Sequence, residues 1–311
     1  MEGNRLDEEL VLKTSGSQGL VGSNPTPSAN QTQYSARLSE IEDLSKKHIK
    51  GKKLFNNEIN MKDHHDSFYK KSSKKFKKYE FHGKGKLVTG EKPNFFEYLK
   101  KFANKTFRIL DLGCGSGELT IKLSPFFKEI VGVDPFENYL ETAEKQKKNS
   151  KIKNVIFKIA DGKNLPFKNE SFDIVFSSRG PLSANIGFIK ESFRVLKRGG
   201  LMIEETIGEE DKIELKEIFR RGQNYPNPEI KLESVKRLLK QIGMKLVESK
   251  YFKFYQIYPS INDVIELLER APIIPDFDKT KDKIYLEEVN KKLNTKGIKL
   301  SSHRLIWVAK K

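Results

Sequence analysis

Arg108-Ile-Leu-Asp-Leu-Gly-Cys-Gly-Ser-Gly-Glu-Leu-Thr120 decides how this chain of 311 residues folds. Phe107 to Leu112 concentrates apolar residues as a short buried strand does. Gly113, Gly115 and Gly117 then follow at every second position, and Glu118 to Phe127 can start a helix. A strand that breaks into glycine at its carboxyl end and re-enters as a helix is the binding corner of a doubly wound α/β sheet. Glycine belongs there because the turn takes backbone angles other residues resist, and because a ligand can then lie against the main chain. The spacing separates this turn from the dinucleotide fingerprint G-x-G-x-x-G. Here the third glycine comes one residue early, and an acid, Asp111, stands two residues before the first.

The run Asp111-Leu-Gly-Cys-Gly-Ser-Gly117 resembles motif I of the class I S-adenosylmethionine (SAM) dependent methyltransferases, and more narrowly the type 11/25-like domains. The elements that follow keep the family's order. Ile130-Val-Gly-Val-Asp134 resembles the second strand, ending in the acid that grips the two ribose hydroxyls. Ile159-Ala-Asp-Gly-Lys-Asn-Leu-Pro-Phe167 resembles the loop whose Asp reaches the adenine amino group. Ser171 to Ser178 resembles the fourth strand, and Glu191 to Leu201 the helix and turn into the fifth. The resemblance implies an α/β, Rossmann-like, doubly wound and mostly parallel seven-stranded sheet with an antiparallel last strand. A helical N-terminal lid and a helical insertion before the last strand complete it. The cofactor it implies is S-adenosyl-L-methionine. Carried over residue by residue, its site takes Asp111, Gly113, Cys114, Gly115, Gly117, Asp134, Pro135, Asp161, Gly162 and Ser177. For Asp134 and Asp161 the plainer alternative is helix capping or turn formation, since each ends a strand.

The rest of the chain bounds the setting. One cysteine, Cys114, rules out an internal disulfide framework and fits a reducing cytoplasm. No apolar run approaches the length of a membrane span. The net charge of +17 points toward nucleic acid, yet it rests on forty-eight lysines against eleven arginines. Phosphate and base readers lean on arginine for its bidentate fork.

Residues 1–60 form one compositional block, with Thr14 to Gln33 rich in Ser, Gly, Asn, Pro and Gln and expected to be disordered. Gly22-Ser-Asn-Pro25 is what one frame of the common tRNA T-arm sequence GGTTCGAATCC encodes. Two readings therefore stand: an ordinary polar tail, or translation begun upstream of a true start at Met61. Residues 61–104 are expected to form the helical lid, with Phe68, Tyr69, Phe76 and Tyr79 on one face and Asn94 to Phe102 as a helix beside the first strand. The family often carries Asp after such a Tyr; Lys70 stands here instead. His64 and His65 read as a solvated run, and no metal site is expected. By the same resemblance, residues 105–311 are expected to form the class I SAM-dependent methyltransferase domain, with insertions at about 207–230 and 259–298.

The acceptor is left open by the residues. The Asn/Asp-Pro-Pro-Tyr/Phe signature of amino-group methylation is missing, and the lone thiol lies in the glycine turn, where packing explains it. No catalytic base is assigned; His303 could be one but reads as a half-buried structural residue, and Arg179 binds an anionic acceptor or the SAM carboxylate, or simply pairs on the surface. Three functions follow in order: methyl transfer to a small molecule, methylation of rRNA or tRNA through the lysine-rich N-terminal arm, and SAM binding without turnover.

Overall fold

Strands and helices alternate through the computed structural model, which describes residues 86–184, 186–292 and 296–311. The expected tail, the aromatic lid helix with Phe68, Tyr69, Phe76 and Tyr79, and the His64–His65 run lie outside the described residues. The elements are β1 (Lys86–Gly90), α1 (Phe95–Lys100), β2 (Asn104–Leu112), α2 (Glu118–Leu123), β3 (Phe127–Asp134), α3 (Glu137–Asn149), β4 (Val155–Ile159) and β5 (Phe172–Ser178). They continue with α4 (Ile186–Val195), β6 (Leu196–Ile207), α5 (Ile213–Phe219), α6 (Pro228–Gln241), β7 (Lys245–Tyr258), α7 (Ile261–Arg270), α8 (Lys283–Lys291) and β8 (Ile298–Lys310).

The strands form one sheet in the order β1-β7-β8-β6-β5-β2-β3-β4. The run from β6 to β4 is parallel, and β8 lies antiparallel between β6 and β7. The sheet therefore has eight strands among the described residues, one more than expected. The additional strand, β1, pairs antiparallel with β7 from Lys86↔Ile257 to Gly90↔Phe254. It covers the end of an edge that would otherwise present open backbone groups. Gly90 is forced at that contact: its φ is +87°, and a Cβ would lie 2.4 Å from the Lys253 carbonyl.

Alternation sorts the strands' side chains onto two faces. Leu110, Leu112, Val175, Met202, Leu305 and Trp307 meet α4 and α6 on one face. Ile109, Ile130, Ile174, Phe176, Ile203 and Ile306 meet Phe95, Tyr98 and Leu99 of α1 and Leu123 of α2 on the other. A third apolar cluster joins α5, α7 and α8 to Tyr258, Ile298 and Leu300. The helical insertions thus have a core of their own beside the sheet.

Helix ends differ from expectation where local chemistry intervenes. α2 stops at Leu123 and passes into a 3₁₀ turn over Ser124–Phe126, because Pro125 has no N–H to continue the ladder. α6 begins at Pro228, within the turn cluster. Asn227 caps it by accepting from the Glu229 N–H at 2.9 Å, and proline suits the first turn. α7 starts on a reciprocal Ser260–Asp263 capping box.

Candidate functional site

The glycine corner is fastened to the next strand. Gly113 and Cys114 both donate their N–H to the Val133 carbonyl, at 2.9 and 3.0 Å. Gly113, Gly115 and Gly117 all have positive φ, at 78°, 53° and 77°. Their surroundings differ. A Cβ on Gly117 would sit 2.5 Å from the Phe157 ring, and one on Gly113 would sit 2.9 Å from Pro181 Cδ. A Cβ on Gly115 would meet nothing within 4 Å. Gly117 and Gly113 are therefore glycines for packing, whereas Gly115 carries the open face of the turn, where a ligand could approach the main chain.

Two buried carboxylates flank that face. Asp134, at the end of β3, accepts from Gly115 N–H at 3.0 Å and from Phe136 N–H at 2.9 Å. Burial raises its pKa against those two bonds. Asp111 is 2% exposed and accepts from the Thr120 hydroxyl at 2.7 Å. Burial pushes its carboxyl up to about 7, opposed by Thr120 and reinforced by the charge of Asp134. Cys114 lies beside both, and burial with these two acids lifts its thiol well above the usual range. Two buried acids and a half-buried thiol thus lie together beneath the open turn.

The raised Asp111 value has a testable sign. Its native pKa exceeds the ordinary unfolded value of ~3.9, so its contribution to stability is fully present below that value and is lost as pH rises toward 7. Asp111→Asn removes the loss. Without ligand, the variant's melting temperature relative to wild type is expected to rise between pH 5 and pH 8. A difference that stays constant over this range refutes the buried-acid reading.

The remaining predicted residues fall around the same corner. Asp161 is exposed after β4, with its Oδ1 accepting the Lys163 N–H at 2.9 Å. Gly162 is packed: a Cβ would lie 2.7 Å from Leu112 Cδ1. Pro135 is exposed beside Asp134. Ser177 lies under the turn, fully buried, and its hydroxyl donates to the Leu112 carbonyl at 2.8 Å. It braces the strand end beneath the turn.

Sequence reasoning missed a buried polar layer at the carboxyl ends of β5 and β6. Glu204 accepts from the Ser183 N–H at 3.0 Å and from the Trp307 indole at 2.8 Å, and burial raises its pKa. Glu205, 7% exposed, accepts from the Ser178 hydroxyl at 3.1 Å. Asp211 pairs with Arg304, and buried Lys212 donates to the Ser301 carbonyl at 2.9 Å. Two adjacent glutamates inside the apolar run Leu201 to Ile207 were the available signal. His303 is 3% exposed under Gly208, its Nδ1 has no hydrogen-bond partner among the described residues, and burial lowers its pKa. Among the described residues no group of three or more His, Cys, Asp or Glu side chains could hold a metal. No described helix is long and apolar enough to cross a membrane.

Residues 103–273 match a family described as a methyltransferase domain. An uncharacterized methyltransferase of Schizosaccharomyces pombe is 34% identical over 113 residues, 33% of this chain and 41% of that protein. The demethylmenaquinone methyltransferase of Lactococcus lactis is 38% identical over 100 residues, 30% of this chain and 40% of that one. The match thus spans less than half the length of these two relatives. Among solved structures, the YcgJ protein of Bacillus subtilis is similar in fold, with a TM-score of 0.50 and 19% identity over 69% of this chain and 96% of its own.

Proposed function

The chain belongs to the class I S-adenosylmethionine-dependent methyltransferase family, and from that premise we propose that it transfers the methyl group of SAM to a small-molecule acceptor (EC 2.1.1.-). When bound, SAM supplies a methyl group already activated on its sulfonium. The protein's task is to dock it, align a nucleophile and exclude water. Asp134 offers acceptor oxygens to the two ribose hydroxyls, a task that suits a carboxylate. Asp161 takes the adenine amino group, and Pro135 and Gly162 lie beside it. Gly113, Cys114, Gly115 and Gly117 form the floor under the methionine half, with Asp111 below them and Ser177 bracing the turn.

The observation that carries the small-molecule reading is the cap. Asp211 and Lys212, where the chain leaves β6 for α5, are tied to Arg304 and Ser301 of β8. From there α5, α7 and α8 close on their own apolar cluster. A closed wall beside the carboxyl ends of β5 and β6 suits a compact acceptor better than a polymer. By its name the Lactococcus lactis relative acts on demethylmenaquinone, which agrees. Methylation of rRNA or tRNA stands as the second reading, favoured by fourteen lysines between Lys46 and Lys86.

The test is transfer from radiolabelled SAM into host extract separated into small-molecule, RNA and protein fractions, with Gly115→Arg as the blocked control. Label is expected in small molecules from the wild type and absent with the variant. Label in RNA, with affinity falling steeply as salt rises, overturns the proposal in favour of the second reading. SAM binding without label in any fraction leaves a binding module.

A further inference from the structure

We infer that Arg179 forms an anion subsite beside the cofactor corner, so that the methyl acceptor carries a carboxylate or phosphate group. The inference rests on the methyltransferase reading above and adds the chemical class of the acceptor. It starts from the backbone. Arg179 follows β5 directly and takes φ +57°, a left-handed conformation uncommon for a residue with a side chain. Three contacts hold it there. Its own N–H donates to the Glu205 carbonyl at 2.7 Å. The next residue, Gly180, is pressed against the cofactor corner, where a Cβ would lie 2.4 Å from Ser177 Oγ and 2.8 Å from the Leu112 carbonyl. Pro181 then packs over Gly113, where an added Cβ would lie 2.9 Å from its Cδ. The arginine is thus anchored one residue from the glycine turn, on a loop with little freedom to move.

The side chain is left open by the same arrangement. It is 51% exposed, and its one ionic neighbour among the described residues is Glu205, with 3.9 Å between Nε and Oε2. That distance is too long for a hydrogen bond. The Glu205 oxygen concerned already accepts from the Ser178 hydroxyl. Two other arginines are spent on structure: Arg194 donates to Glu191 and to the Leu165 and Phe167 carbonyls, and Arg221 to Asp276 and Asp282. Arg179 keeps its guanidinium fork for something else. Glu205 acts as a resting counter-ion that holds the charge in place without consuming its donors. Near it, Arg304 is already paired with Asp211, so an incoming anion would meet Arg179 by taking the place of Glu205. A planar fork with five donors fits a carboxylate or phosphate edge in a bidentate manner. Preorganisation on a strained turn reduces the ordering cost of binding.

The experiment splits host small-molecule extract on a quaternary-ammonium resin before reaction, then incubates each half with radiolabelled SAM and full-length protein. Label is expected from the retained, anionic half. Arg179→Gln should lower that incorporation about a hundredfold at limiting extract, with SAM dissociation constant and melting temperature close to wild type. Arg179→Lys should recover part of it, since a single point charge replaces the fork. Phosphatase treatment of the retained half separates the two anions: loss of label identifies phosphate, persistence a carboxylate. Label from the unretained half, or an Arg179→Gln variant within about threefold of wild type, overturns the inference. A tenfold loss of SAM affinity in Arg179→Gln also overturns it, assigning the guanidinium to the cofactor's own carboxylate. No label from either half means that methyl transfer itself fails, and the inference falls with it.

Discussion

Asp134→Ala is expected to weaken binding of SAM and of its demethylated product by a hundredfold or more, and by equal factors. Equal factors follow because the ribose is common to both ligands, whereas the sulfonium is not. In the proposed role the carboxylate accepts two hydroxyls, and hydrogen bonds to a charged group contribute about 1.5–3 kcal/mol each. Their sum corresponds to roughly two to four decades in affinity. The structure complicates the variant in one respect. Asp134 also accepts the Gly115 and Phe136 N–H groups, so alanine loosens the turn it faces. Each abandoned N–H costs about 1–3 kcal/mol, partly offset because a carboxylate that burial disfavours is removed with it. Asp134→Asn separates these effects. It keeps the shape and one acceptor oxygen but turns an amine toward a backbone donor, so it should bind more weakly than wild type while melting cooperatively. Calorimetric titration with both ligands decides: an unchanged affinity in Asp134→Ala refutes the assignment of the ribose site to the end of β3.

The parallel half of the sheet was legible because each of its strands is a short apolar run ending in a turn residue, and the glycine turn showed where the order begins. Asp111 and Thr120, nine positions apart on that strand–turn–helix unit, pair in the structure, a contact that the spacing alone does not announce. Two things escaped. β1 is five residues that gain their place by pairing with β7, and nothing inside Lys86–Gly90 announces it. The buried polar layer escaped because its partners are distant: Glu204 meets Trp307, Asp211 meets Arg304, and Lys212 meets Ser301. Such contacts arise only once β8 has inserted between β6 and β7. Ser177 illustrates a third limit. Its position in the family order was readable, but the strand's alternation sends its hydroxyl to the Leu112 carbonyl, beneath the face a ligand would use.

Asp211→Ala is expected to produce the largest loss of stability, lowering the melting temperature at pH 7 by roughly 6–20 °C. Asp211 is 4% exposed. Burial alone would raise its carboxyl, yet Arg304 and Lys212 beside it hold the value below the ordinary carboxylate range. It accepts from the Arg304 guanidinium and from the His303 N–H at 3.2 Å. Removing it strands a buried guanidinium and leaves Lys212, 3.9 Å away, without its counter-charge. Breaking a buried pair from one side costs about 3–5 kcal/mol. The second variant, Asp211→Ala with Arg304→Met, should recover a substantial part, because it deletes the orphaned charge together with its partner. The pH dependence has a definite sign. A depressed native pKa means that the stabilisation is complete above the unfolded value of ~3.9 and is lost as pH falls through the native value. Wild type and Asp211→Asn should therefore converge in strongly acid solution and diverge toward neutrality. A melting temperature within ~2 °C of wild type for Asp211→Ala at pH 7 refutes the role assigned to the pair. The location of the damage carries the functional consequence. Asp211 stands where β6 hands over to α5, and Arg304 stands on β8, so the pair ties the first helix of the cap to the sheet. Amide exchange should accelerate in α5 before it does in β2 and β3, and SAM affinity should change little. A cap that loosens while the cofactor corner holds would separate recognition of the acceptor from binding of the methyl donor, as their placement on different parts of the chain implies.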